Sequence, residues 1–181
     1  MELDLPWVAV NVSPIQFRSA RLGQKILSIL NETGLPARRL QLEITEGVLL
    51  EQTEQTQITL NELRAHGVRI ALDDFGTGYS SMTYLGSYTV DKLKIDRSFI
   101  ARLGTSTDAD AIVRAMITLG RSMHLQITAE GVETESQRDH LAALGCHELQ
   151  GYLMSKPVGP EGLKAILAGG DLERDRVRAL G

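Results

Sequence analysis

The stretch "IALDDFGTGYSS", residues 70–81, decides how the rest of the chain is read. A short apolar run ends in two adjacent aspartates, Asp73 and Asp74, and a loop with two glycines and several hydroxyls follows at once. Two like charges side by side at the end of a strand repel each other and resist burial. They make sense together if one carboxylate bridges two cations and its neighbour holds the second. The loop contains G-x-G but lacks a third glycine and a following Lys-Ser/Thr pair, so it is neither a dinucleotide fingerprint nor a P-loop.

Outward from this stretch, short apolar runs alternate with longer amphipathic ones. Residues 7–12, 40–45, 68–73, 92–95, 125–130 and 148–154 read as strands, partly β-branched and mostly apolar on both faces, as a parallel sheet requires. Helical patterns cover about 21–33, 48–66, 108–123 and 134–144. Thr134 with Gln137 makes a capping box, Thr107 with Asp110 resembles one, and Gly34, Gly67 and Gly145 stop helices. Strand, helix, strand repeated in this way implies right-handed crossovers and an α/β parallel sheet or barrel. Only the tail after residue 168 looks like a charged, frayed end.

Composition narrows the function. The chain has 181 residues, 43% hydrophobic and 23% charged, the profile of one globular domain with a sizeable core. With 4% aromatic residues and a formal net charge of −4, it is a poor binder of nucleic-acid polymers, though not of a small anion that a metal could neutralise. One cysteine, Cys146, suits a reducing cytoplasm, and neither a signal peptide nor a membrane-spanning run is visible. The four histidines show no metal-ligand spacing.

Polar residues recur at the strand ends. Asn11, Glu43, Asp73, Lys94 and Glu130 lie in the C-terminal half of a strand or just past it, and Gln150 lies within the sixth. In α/β barrels and open α/β sheets the site forms at the carboxyl ends of the strands. Each residue alone has a plain structural reading: cap, turn or salt bridge, with Asp96 a partner for Lys94. Together they are hard oxygen ligands plus one amine, which selects Mg²⁺ or Mn²⁺ over Zn²⁺. Two such ions about 3.5–4 Å apart are a usual clamp for in-line displacement at phosphorus.

The motifs "VNVSP" (10–14), "LEITE" (42–46), "ALDDFGTGYSS" (71–81), "VDKLKID" (90–96), "AEGVET" (129–134) and "QGYLMSKP" (150–157) resemble, in order, those of EAL domains. These are bacterial phosphodiesterases that open cyclic di-GMP to linear pGpG. The resemblance implies a TIM-like (β/α) barrel, incomplete here with about six of eight strands, a two-metal mechanism, and a homodimer attached to sensory or GGDEF-type domains. It implies metal ligation by Asn11, Glu43, Asp73 and Asp74, with Asp73 bridging. Lys94 matches the lysine at the attacking water or phosphate, with Asp96 beside it, and Glu130 the glutamate proposed as base or second-metal ligand. Glu46 resembles the anchor of the loop at residues 75–81, which includes Gly76 and Thr77, and Glu133 and Gln150 match supporting positions around the substrate.

The chain also departs from the pattern. His147 stands where the family frequently has Asp after "GC", and residues 86–91 lack a common Leu-Pro pair. The family's Glu-Ala-Leu strand has no counterpart before "WVAVNVSP". Residues 1–168 are therefore expected to be a partial domain that hydrolyses cyclic di-GMP slowly by itself, followed by a tail at 169–181. The rival reading is a non-catalytic cyclic di-GMP receptor or a dimerisation module.

Overall fold

The computed structural model describes residues 7–50, 53–78, 86 and 88–169. Residues 79–81 of the glycine loop and 170–181 of the tail lie outside the described residues. The chain divides into two compact units, one ending at Lys94 and the other beginning at Ile95.

The first unit opens with strand β1 (Val8–Val12) and the short helix α1 (Pro14–Phe17). Helix α2 (Leu22–Thr33) ends at Gly34, whose φ of 69° supplies the left-handed stop. Strand β2 (Leu40–Thr45), helices α3 (Glu46–Leu50) and α4 (Glu54–Ala65) and strand β3 (Arg69–Phe75) follow, and β4 (Lys92–Ile95) ends at the boundary. β1, β2 and β3 run parallel, with Asn11 opposite Glu43, Glu43 opposite Ala71 and Thr45 opposite Asp73. Side chains alternate along a strand. Leu42 and Ile44 of β2 therefore share one buried face with Ile70 and Leu72 of β3, while Glu43 and Asp73 belong to the other. Among the described residues β1 has one strand neighbour, and Val8 and Val10 are 41% and 45% exposed, against the expectation of strands covered on both faces.

The second unit carries α5 (Arg97–Ile100), α6 (Thr107–Ser122), β5 (Gln126–Glu130), α7 (Glu135–Ala143), β6 (Glu148–Gln150) and α8 (Pro160–Gly169). β5 and β6 are parallel, Thr128 opposite Glu148 and Glu130 opposite Gln150. Ile127, Leu141 and Val113 are fully buried between them and the helices. Cys146 is also buried and unpaired, and burial pushes its thiol up to about 11, so it is an inert packing group.

Several local readings shift. The helix read at 48–66 is two helices: Thr53 accepts from the Thr56 N–H and starts α4 afresh, and residues 51–52 lie outside the described ones. The sixth strand stops at Gln150 rather than 154, because Gly151 is pressed against the backbone of Val132 and the Leu153 N–H turns to the Val132 carbonyl at 3.0 Å. Ser106, not Thr107, caps α6, accepting from the Ala109 N–H, while Asp110 accepts from the Gly104 N–H at 2.7 Å. The capping box of Thr134 and Gln137 is present.

Candidate functional site

In the first unit the site is built from strand register. Glu43 and Asp73 project from one face of adjacent strands, and Lys94 of β4 reaches both. Its Nζ donates to Glu43 Oε2 at 2.7 Å and lies 2.9 Å from Asp73 Oδ1, with the lysine side chain 3% exposed. Glu43 Oε1 accepts from Gln41 Nε2 at 3.0 Å, so both its oxygens are engaged. Asp73 Oδ1 is different: the ammonium is at ion-pair distance but outside hydrogen-bonding alignment, and this buried oxygen has no directed donor. Such an oxygen, beside further hard oxygens, fits a divalent cation of the Mg²⁺ or Mn²⁺ kind. Asn11 is exposed in β1 opposite Glu43.

Asp74 follows with φ of 54°, one of two described non-glycine residues in the left-handed region, the other being His124. A β-carbon there costs conformational energy, and aspartate is among the side chains that tolerate it best. Asp73 and Asp74 each offer a carboxylate oxygen within 4.8 Å of the other, close enough for one cation to engage both. Glu46, first residue of α3, then meets the glycine loop. Its Oε1 accepts from the Gly76 N–H at 2.7 Å, and a β-carbon at Gly78 would collide with its carboxylate. Thr77 folds back on the same turn, donating to the Asp74 carbonyl at 2.8 Å.

In the second unit the residues sit at strand ends and turns that backbone hydrogen bonds tie together. Asp96 caps α5, its Oδ1 accepting from the Ser98 N–H at 3.0 Å. Burial pushes the Asp96 carboxyl up, but the hydrogen bonds from Ser98 and Arg97 and the Arg97 charge outweigh it, and the net direction is down. Glu130 is half-buried at the end of β5. The next residue, Gly131, has φ of 69° and is packed so closely that its β-carbon would lie 2.5 Å from Arg97 Cβ. The Val132 N–H bonds the Gln150 carbonyl at 3.0 Å, and Glu133 and Gln150 are exposed. Glu130 and Gln150 thus end neighbouring strands, while Asp96 and Glu133 lie on the turns beside them.

Sequence reasoning missed two residues. Gln41, 1% exposed, orients Glu43; its signal was the polar pair at i and i+2 in the otherwise apolar "LQLEIT". Gln137, read only as a helix cap, also donates to the Ile100 carbonyl at 3.1 Å.

Comparison with known proteins bears on the family and the fold. The EAL domain family matches residues 2–157. The bifunctional diguanylate cyclase/cyclic di-GMP phosphodiesterase MucR of Pseudomonas aeruginosa is 44% identical over 161 residues, 89% of this chain and 24% of that protein. The structure of the MucR phosphodiesterase in complex with c-di-GMP matches with a TM-score of 0.82 and 44% identity, covering 87% of this chain and 64% of that one. The EAL domain of Mycobacterium smegmatis DcpA gives a TM-score of 0.86 at 44% identity, covering 91% and 74%. The manganese/cy-diGMP complex of Klebsiella pneumoniae BlrP1 gives 0.77 at 29%, covering 83% and 39%. The chain spans about a fifth to a quarter of the length of the curated relatives it matches. The likeness establishes the fold class: α/β, an incomplete TIM-like barrel of EAL type with six strands. No described helix is long and apolar enough to cross a membrane.

Proposed function

The chain belongs to the EAL domain family, and from that membership we propose that it hydrolyses cyclic di-GMP to linear pGpG with two divalent cations, Mg²⁺ or Mn²⁺. The observation that carries the reading is the buried Glu43–Lys94–Asp73 group, with one carboxylate oxygen lacking a directed donor. Asn11, Glu43, Asp73 and Asp74 would hold the ions. When bound, such ions turn a water into a nucleophile near neutral pH and stabilise charge on phosphoryl oxygens.

The chain's own groups divide the remaining work. Lys94, set between two carboxylates, balances their charge and orients their oxygens. Either Glu130 or Lys94 would serve as the base. Asp96 sets the turn after Lys94, Glu46 fixes the loop at Gly76 and Thr77, and Glu133 and Gln150 support the substrate. We assign residues 1–168 to this domain and 169–181 to a tail. We place the domain, as a cytoplasmic homodimer, within a longer signalling protein, as the greater length of the relatives supports.

Hydrolysis of cyclic di-GMP in Mg²⁺ or Mn²⁺ tests the proposal. Asp73→Asn, nearly isosteric, should lower turnover by roughly a hundredfold to a thousandfold, the scale of removing one electrostatic stabiliser. Undiminished turnover would overturn the two-metal assignment. Binding without cleavage by the unaltered chain would make the domain a receptor.

A further inference from the structure

Gln137, in the first turn of α7, makes three side-chain hydrogen bonds to the backbone. Its Oε1 accepts from the Glu133 N–H at 2.8 Å and the Thr134 N–H at 3.1 Å, and its Nε2 donates to the Ile100 carbonyl at 3.1 Å. The first two belong to a helix cap. The third reaches 37 residues back along the chain to the end of α5, the helix that Asp96 begins. Two N–H groups require an acceptor and a carbonyl requires a donor, and a primary amide serves both at once. A carboxylate would repel the Ile100 carbonyl, and an ammonium would leave both N–H groups unmet.

The segment held this way is the one that follows Glu130. At its near end Gly131 packs on Arg97, next to Asp96; in its middle the Val132 N–H bonds the Gln150 carbonyl. At its far end Gln137 ties Glu133 and Thr134 to Ile100. Residues 131–134 are therefore pinned from three sides, and the pins connect them to the turns that carry Asp96 and Gln150.

We propose that Gln137 is a positioning residue that sets Glu130 and Glu133 against the Asp96 turn; what it positions them for rests on the phosphodiesterase reading above. A misplacement of about 1 Å from a change away from the chemistry can cost roughly a hundredfold in rate, so a side-chain tether between two such loops matters to turnover more than to folding.

Gln137→Glu separates the tether from the cap. It keeps an oxygen for the Glu133 and Thr134 N–H groups and puts a second acceptor, rather than a donor, before the Ile100 carbonyl. Gln137→Met removes both functions. Hydrogen exchange at the Val132 amide, the thermal midpoint, and kcat and KM for cyclic di-GMP are measured on the full chain. In Gln137→Glu the midpoint should fall by about 2–4 °C, the size that loss of one net hydrogen bond gives in a chain of this length. Val132 exchange should rise about tenfold through easier local opening, and kcat should fall about tenfold at unchanged KM. Gln137→Met should match the changes in exchange and kcat and lose more midpoint.

Unchanged Val132 exchange in Gln137→Glu overturns the tether. A loosened loop with undiminished kcat overturns the positioning role, and so does a midpoint drop of the size seen with Gln137→Met. If the unaltered chain shows no hydrolysis while Val132 still loosens, the phosphodiesterase reading fails and the tether stands.

Discussion

Lys94 shows at the scale of one residue how the site manages its charge. Its ammonium contacts Glu43 at 2.7 Å and Asp73 at 2.9 Å in a nearly dry setting. Removing one member of a buried charge group leaves the others uncompensated, at a cost of about 3–5 kcal/mol. Lys94→Met should therefore lower the thermal midpoint steeply, and added Mn²⁺ should recover part of the loss, because cations can replace the missing charge. A scan with and without Mn²⁺ checks this; a loss indifferent to the ion would count against a metal at these carboxylates. Glu43 and Glu46 separate in the same way. Glu46 contacts the Gly76 amide and Glu43 the lysine. Glu46→Ala should lose activity that excess Mn²⁺ or Mg²⁺ partly restores, whereas Glu43→Ala should resist restoration, read by metal titration of turnover. The chemical types of these residues and their positions at strand ends were legible in the sequence. The left-handed φ of Asp74 and the Gln41–Glu43 bond were not, since a backbone sign and a side-chain partner leave no trace in periodicity.

Among the elements, two strand junctions repeat one device. Asp91, just before β4, donates its N–H to the Ile70 carbonyl at 2.8 Å and accepts the Ile70 N–H on its carboxylate at 2.8 Å. His147, just before β6, donates its N–H to the Ile127 carbonyl at 3.1 Å and accepts the Ile127 N–H on Nδ1 at 3.0 Å. A side chain thus completes the ladder one step before each strand starts, which fixes register where a slip would turn the polar face away. The acceptor matters more than the residue type. Arg64 further holds Asp91 in place with contacts at 2.8 and 3.3 Å. Asp91→Ala should cost about 1–3 kcal/mol by leaving a donor unmet, while His147→Asn, which keeps an acceptor, should cost much less; urea unfolding of both variants decides. Strand positions were legible because the strands are short, mostly apolar and separated by helical patterns. The short helices α1 and α5 were not, because four residues are too few to show a helical period. The break between α3 and α4 escaped for another reason: Thr53 interrupts a run whose composition stays helical on both sides.

For the molecule as a whole, strand–helix alternation and the ordered motifs sufficed for the fold class, whereas the boundary between Lys94 and Ile95 depends on contact density, which no linear pattern records. The unaltered chain should gain about 2.7 kcal/mol of stability when free Mn²⁺ is a hundredfold above its dissociation constant. Asp73→Asn should abolish most of that gain, and chelation should reverse it in the unaltered chain; thermal unfolding across a metal titration is the measurement. The tight apposition of Gly151 and Val132 has a genetic consequence. Any β-carbon at 151 meets the backbone nitrogen and oxygen of Val132, neither of which can swing aside like a side-chain tip. A change in either of the first two bases of a glycine codon replaces the residue or ends the chain. All missense alleles at this codon therefore share one steric fault, and graded, leaky alleles must be sought at neighbours such as Thr134, where a lost hydroxyl removes a single cap.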